Sequence, residues 1–428
     1  MLTKIKENIF YLFIFLLPWQ TVFILREVFI NNEKFQYGSV NIFIYQLILL
    51  LLILLNYKKI FKFEDKKIIF ILGLFLSWLF LTIFQSSDKI LSFYFFSLHL
   101  LGAFLFLIIQ NLNINFKKLS FSIILSTTLS SILGLYQFFT QTAFSSKWLG
   151  LSDHLAWQGG SSVIATESFR FLRAYGSMPH PNIMGGLLTI VLLLSLGAYI
   201  KASRSEIRWK MFLVATLPLN LLSLLTTFSR SAFLALVVGI ILIVSYFLFK
   251  EKIPRKKDLW VIFYSLIILT ALFFTAYSDI FSSRTQNENR LEKKSLTDRK
   301  IYLQDAREII RQDCFSGTGP GNYTLTVLKN KKTSRKIWEI QPVHNLYLLV
   351  FSEIGFLGFA FFFSFVAIIL SEIFQKFKSR KSNTILFSFL LITLLFSAFF
   401  DHWIWTGAFG IILFWLILAL SKKETLFT

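Results

Sequence analysis

His344-Asn345-Leu-Tyr347 stands where a polar stretch gives way to a long apolar run, with Glu353, Gly355 and Gly358 following. An imidazole that is neutral near pH 7 at such a junction is a credible general base for a polar substrate presented at a membrane surface. It can equally be an interfacial histidine bonded to a backbone carbonyl. Asn345 could orient either it or the substrate. Glu353 lies about two and a half helical turns deeper and needs a partner there, for which an ion pair is the plain structural account. Arg230 sits between Ser229 and Ser231 with apolar residues on both sides. It either snorkels to the interface or binds an anion with help from the positive end of the following helix. A diphosphate is the anion expected at a membrane surface. A third group runs from Arg173 to His180-Pro181-Asn182, where two prolines and a glycine fix a turned approach to an apolar run. His180 can simply hold that turn. Together the three groups point to glycan transfer at a membrane surface.

The elements that must position these residues are membrane helices. The chain has 428 residues, 55% hydrophobic and only 16% charged, with 52 Phe. A soluble domain carries about a quarter charged residues and has nowhere to place so much apolar surface. Apolar runs of about 17–25 residues separated by short basic loops specify an all-α polytopic membrane protein. Twelve spans are expected near 8–26, 40–56, 68–85, 90–110, 119–139, 183–200, 209–227, 231–249, 259–277, 346–370, 384–400 and 403–420. The first run lacks a small-residue cleavage site and reads as an uncleaved helix. Alternate loops concentrate Lys58, Lys59, Lys62, Lys66 and Lys67; Lys117 and Lys118; and Lys201, Arg204, Arg208 and Lys210. The series continues with Lys250, Lys252, Arg255, Lys256 and Lys257; Lys376, Lys378, Arg380 and Lys381; and Lys422 with Lys423. These loops and both termini are expected on the cytoplasmic side. That bias accounts for most of the +21 net charge, and no nucleic-acid partner is needed.

Two longer segments, about 140–182 and 278–345, then fall outside. The chain divides into a membrane domain of nine helices (1–277), an extracytoplasmic loop domain (278–345) and three final helices (346–428). Trp148, Trp157, Phe169 and Phe171 suit an interface. From Arg299 to Asp313, Tyr302, Ala306, Ile309 and Ile310 recur at helical spacing, with Lys300, Arg307 and Arg311 around them. Such a helix can lie on the membrane surface with its arginines toward headgroups, solvent or the site. Residues 283–296 are polar and expected to be mobile, while Gly317-Thr-Gly319-Pro-Gly321 makes a sharp turn without the Lys-Ser/Thr of a nucleotide loop. Asp401-His402 falls on the same side, within reach of the site. Cys314 is the only cysteine, so no intrachain disulfide forms. No paired metal-ligand motif appears in the outer segments, and no metal or cofactor is expected.

These stretches resemble, in order, the motifs of the O-antigen ligase and O-antigen polymerase superfamily of bacterial envelope proteins. The resemblance is carried by Arg173…Gly176…His180-Pro181-Asn182; Thr227-Phe-Ser229-Arg230-Ser231-Ala232-Phe233; Arg299 leading to Gly317-Thr-Gly319-Pro-Gly321-Asn322-Tyr323; and His344-Asn345-Leu-Tyr347 with Glu353 and Gly355. Cys314 departs from the proline that often precedes the glycine turn, and the first five spans agree in hydropathy alone. The resemblance implies glycosyl transfer from a polyprenyl-diphosphate-linked glycan to an acceptor such as lipid A-core, at the outer face of a bacterial inner membrane. It implies catalytic roles for Arg230, Arg299 and His344, and substrate contacts for Arg173, His180, Asn182, Ser229, Arg307, Arg311, Asn345 and Glu353. A polymerase that extends the glycan on its carrier, or an oligosaccharyltransferase acting on protein hydroxyls, would use the same residues. A flippase would carry ionisable residues along the middle of several helices, whereas here they cluster toward the ends.

Overall fold

The computed structural model describes residues 2–165, 169–250, 256–285, 290–330, 335–375, 382–424 and 426. Among them the chain is mostly helical: α1 Leu2–Leu16, α2 Ile44–Ile60, α3 Lys66–Leu81, α4 Lys89–Gln110, α5 Phe116–Thr140, α6 Pro181–Lys201, α7 Ile207–Thr227, α8 Arg230–Lys250 and α9 Lys256–Ala276. There follow α10 Ser278–Thr285, α11 Arg290–Gln312, α12 Tyr323–Asn330, α13 Leu346–Gln375, α14 Ser382–Ser397, α15 Trp403–Thr406 and α16 Ala408–Lys422. Seven of these, α4 to α9 and α13, are long and apolar enough to cross a membrane; α14 and α16 are apolar but shorter. Each of the twelve expected spans overlaps a helix. Of the loop residues expected inside, Lys252, Arg255, Lys376, Lys378, Arg380 and Lys381 lie outside the described residues, as do residues 286–289 of the polar stretch.

Several boundaries differ from the sequence reading, each for a local reason. The first helix stops at Leu16 rather than near residue 26, because Pro18 follows. The chain then turns into a strand, Val22–Arg26, paired antiparallel with Val40–Phe43, which shortens the second helix as well. Gly407 separates α15 from α16 within one expected span. The surface helix begins at Arg290 and not Arg299, so the part of the polar stretch from 290 to 296 is helical. Side-chain caps mark many true starts: Asp65, Asp88 and Asn115 accept from the amides of Ile68, Leu91 and Lys118.

α6 is the hub. It is buried along most of its length against α5, α7, α8 and α14, as expected of a helix that is apolar all round. α5 and α7 are joined by polar side chains at depth: Ser131 donates to Asn220 Oδ1 at 2.7 Å, and Asn220 Nδ2 to Thr128 Oγ1 at 3.1 Å. Such bonds fix helix pairs where hydrophobicity cannot discriminate. α9 shows most of its surface outward.

The feature that ties the loops to the helices is a break in α13. Gly355 has φ 64° and ψ −173°, a region essentially reserved for glycine. The backbone groups around the break are met from elsewhere. The Thr318 and Gly319 amides donate to the carbonyls of Ser352 and Glu353 at 3.0 and 2.8 Å, Trp78 Nε1 donates to Ile354 O at 2.8 Å, and Phe356 N donates to Cys314 O at 2.9 Å. The glycine turn is therefore plugged into a membrane helix. Its far side is held by α4, where Ser92 Oγ donates to Pro320 O and Asn322 Oδ1 accepts from Asp88 N.

Gly355→Ala would place a Cβ 2.2 Å from the Phe315 carbonyl oxygen in a forbidden backbone region. We expect it to cost about 3 kcal/mol or more and to lower the melting temperature of the detergent-purified protein. Gly73→Ala, in α3 with nothing within 4 Å, serves as the control and should leave it unchanged or slightly raised. Equal melting of Gly355→Ala and wild type would remove the plug from the account of stability.

Candidate active site

Residues far apart in the chain meet around a cavity of about 440 Å³. The first wall is the junction of α7 and α8. α7 ends on Phe228, whose backbone is left-handed at φ 48°, ψ 33°. A bulky residue is strained there, and the buried ring is held against Phe138, Phe273 and Phe281. That turn brings Ser229, Arg230 and Ser231 to the cavity, together with the N-terminal amides of a 21-residue helix. A guanidinium and a helix N-terminus at one cavity wall both carry the charge that attracts an anion.

The second wall comes from the segment before α6. Arg173 is buried and spends its fork on the protein: Nε donates to Thr227 O at 2.6 Å, Nη1 to Ser162 Oγ at 2.9 Å and Nη2 to Asn182 Oδ1 at 2.7 Å. It braces the α7 end against the α6 start. His180 caps α6, its Nδ1 accepting from Asn182 N at 3.1 Å. Asn182 in turn donates from Nδ2 to Asp401 Oδ2 at 3.1 Å. All three border the cavity.

The third wall is one face of α11, which supplies Arg299 and four groups the motif reading passed over: Lys294, Ser295, Asp298 and Tyr302. Their recurrence with Arg299 at helical spacing is the signal in the sequence that could have found them. Tyr302 donates from its hydroxyl to Glu339 O at 3.0 Å, and its ring lies 6.0 Å from that of His344. Gln341 and His344 complete the cavity from the segment entering α13.

His344 is partly buried. Its Nδ1 is enclosed and makes no hydrogen bond, which leaves Nε2 as the nitrogen open to the cavity. Behind it lie Asp401 and His402, and one ligand atom from each of the three residues falls within 4.8 Å of the others. This is the one group of described residues with the types and spacing to hold a metal ion. Its donors are partly engaged already: Asp401 accepts from His402 N and Asn182, and His402 Nδ1 is 2.9 Å from Thr406 Oγ1. Burial lowers His344 below its ordinary value, with Asp401 opposing and Arg299 adding to the effect. Burial likewise pushes His402 down to about 4. Burial would raise Asp401, but His402 and His344 beside it bring the carboxylate net below its usual range. A neutral His344 carries a lone pair on one ring nitrogen, as a general base requires.

The structure thus gathers Arg173, His180, Asn182, Ser229, Arg230, Arg299 and His344 around one cavity. Four expected contacts lie elsewhere. Arg307 and Arg311 are exposed on α11 away from the cavity. Asn345 caps α13, its Oδ1 accepting from Leu348 N at 3.0 Å. Glu353 is buried behind the glycine turn, where Oε2 accepts from Trp405 Nε1 at 2.7 Å and Oε1 from Tyr323 N at 3.4 Å. Its partners are neutral donors rather than the cation of an ion pair.

A family model described as O-antigen ligase matches residues 215–363, the stretch that supplies Ser229, Arg230, Arg299 and His344. Over that stretch the chain is similar to O-antigen ligases. The match supports a ligase- or polymerase-like membrane glycosyltransferase as the coarse class. A solved chain from work on the structural coordination of polymerization and crosslinking by a peptidoglycan synthase complex is 16% identical, with a TM-score of 0.40, over 84% of this chain and 96% of that one. No curated protein matches. The matched segment holds two walls of the cavity and His344, while Arg173, His180, Asn182 and Asp401 lie outside it.

We expect His344 to titrate below the ordinary histidine value of 6.5 in NMR of the labelled imidazole. Asp401→Asn should move the midpoint lower still, because the carboxylate is what opposes the shift. A wild-type midpoint at or above that value, or an upward move in the variant, would contradict this electrostatic picture.

Proposed function

We propose that the chain transfers a preassembled glycan from a polyprenyl (undecaprenyl) diphosphate carrier to a hydroxyl of lipid A-core, at the outer face of the inner membrane, with both termini cytoplasmic. The observation that supports this best is that His344, Arg230 and Arg299 share one cavity with the N-terminus of α8. In the reaction, the acceptor oxygen attacks the anomeric carbon and the bond to the diphosphate oxygen breaks. Negative charge grows on that leaving oxygen, where two guanidiniums and a helix terminus in a site of low dielectric stabilise it. His344 takes the hydroxyl proton at Nε2. The lipid diphosphate is already an activated donor, so neither a nucleotide nor a metal ion has a necessary part in the chemistry. The glycan donor, the lipid-anchored acceptor and the surrounding membrane lipids are the partners; nucleic acid is not.

The test is transfer by the purified protein from a polyprenyl-diphosphate glycan, with lipid A-core offered. Product on lipid A-core supports the ligase, whereas a longer glycan still on the carrier would make it a polymerase. Product on protein hydroxyls would make it an oligosaccharyltransferase. No covalent product with any acceptor would sink the enzyme reading and return the flippase.

His344→Ala should lose about 10²–10⁴-fold in rate and Arg230→Ala about 10²–10³-fold, with the protein still folded. Arg230→Lys should stay impaired, since a point charge cannot reproduce the fork. Wild-type rates in any of these would remove that residue from the mechanism. A chelator should leave transfer unchanged. Inhibition by chelator that an added divalent ion reverses would put a metal on His344, Asp401 and His402 and overturn the metal-free reading.

A further inference from the structure

The cavity is not uniformly an anion site. Asp298 is the only acidic residue bordering it among the described residues. Arg173, Arg230 and Arg299 border it too, and a carboxylate beside them weakens the hold on a diphosphate. The simple structural role would be an ion pair with Lys294, one turn earlier on α11. That ammonium lies 2.6 Å from Glu339 Oε1 and makes no salt bridge to Asp298, though it attracts the carboxylate at longer range, as Arg335 does. Asp298 makes no hydrogen bond or ion pair with a described residue, and it is only partly buried. Ser295, one turn earlier on the same helix, and Gln341 from the segment entering α13 border the same cavity.

A carboxylate, a hydroxyl and a primary amide lining one cavity match one chemistry well. A carboxylate accepts from two neighbouring O–H groups at once, an amide both donates and accepts, and a hydroxyl turns to suit. We propose that Asp298, Ser295 and Gln341 form a carbohydrate subsite that reads adjacent hydroxyls of a sugar unit next to the reacting centre, in the same cavity as the guanidiniums that take the diphosphate. This rests on the glycan-transfer reading above. The cavity of about 440 Å³ falls within the range of about 300–1,000 Å³ usual for small-ligand sites. The subsite also gives Asp298 a reason to stand there: it selects for neutral hydroxyl-bearing units and against sugars whose own carboxylate would face it.

The experiment uses the full-length protein and Asp298→Asn, which keeps the shape and removes the charge. KM for one glycan substrate should rise about tenfold, the size expected for losing a hydrogen bond to a charged group, with kcat within about twofold. The substrate whose KM moves, carrier-linked donor or lipid-linked acceptor, tells which sugar the subsite holds. Inhibition by inorganic diphosphate should be unchanged or tighter. Unchanged KM for both substrates, or weaker diphosphate inhibition, would overturn the subsite. A second measurement separates it from the reaction: saturation-transfer NMR with the oligosaccharide freed from the cell's own polyprenyl carrier by mild acid. Binding that depends on Asp298 without any transfer would sink the transferase reading and keep the subsite. Transfer with no loss of binding in Asp298→Asn would sink the subsite alone.

Discussion

A helix inside a membrane has to satisfy its own backbone, because lipid offers no hydrogen bonds in exchange. α13 breaks that rule at Gly355, and the outer segment makes good the deficit through the amides of Thr318 and Gly319 and the carbonyl of Cys314. Leaving those buried groups unmet would cost several kcal/mol in all, so helix and turn can only be assembled together. The position of Arg299 depends on this, since α11 runs directly into the plugged turn. So does the position of His344, which precedes the first residues of the same broken helix. Glu353 reinforces the joint by accepting from Trp405 and Tyr323, drawing the last helices into it. A carboxylate that the sequence reading assigns to substrate thus braces the site from behind.

The arginines then divide into two kinds. Arg173 is a strut: each of its three nitrogens bonds to a different residue, and the buried guanidinium locks the α6 start to the α7 end. Arg230 stands at the tip of α8 facing the cavity, beyond a left-handed phenylalanine that only packing holds in place. Backbone strain at such a turn is affordable where the surrounding rings determine it, and it buys an orientation that a relaxed helix junction would not give. Arg173 thus braces two helix ends, while Arg230 borders the cavity.

What the sequence makes legible follows from periodicity and from punctuation. Long apolar runs mark the helices because lipid demands them, and the recurrence of Tyr302, Ala306 and Ile309 marks the packed face of α11, all three being buried. Pro18 was enough to end the first helix, yet the apolar run continues past it and hides the strand at Val22–Arg26. Gly355 gives no such warning. A glycine inside an apolar stretch looks like any membrane glycine, and its break exists only because a turn more than thirty residues earlier supplies the missing partners. The role of Glu353 was hidden for the same reason: neutral donors from Trp405 and Tyr323 are tertiary facts, and a charge-pairing argument does not reach them. Arg307 and Arg311 share a helix with Arg299 but not its direction, since at about 100° per residue they point about 80° and 120° round the axis from it.

Asn182 shows how a neutral group can control a charged one. It accepts from Arg173 and donates to Asp401, standing between a guanidinium and a carboxylate that would otherwise pair. A direct ion pair would spend the Asp401 charge on Arg173 and leave little of it for the imidazole beside it. With the amide as spacer, both charges are held by hydrogen bonds while the carboxylate's field still falls on His344, whose ionisation it opposes burial in favouring. The amide also fixes its own orientation, since reversing it would set NH₂ against guanidinium and carbonyl against carboxylate. An aspartate at this position would repel Asp401, and an aliphatic residue would strand both partners. The asparagine after His180-Pro181 thus shapes the charge environment of His344 from its place at the cavity wall.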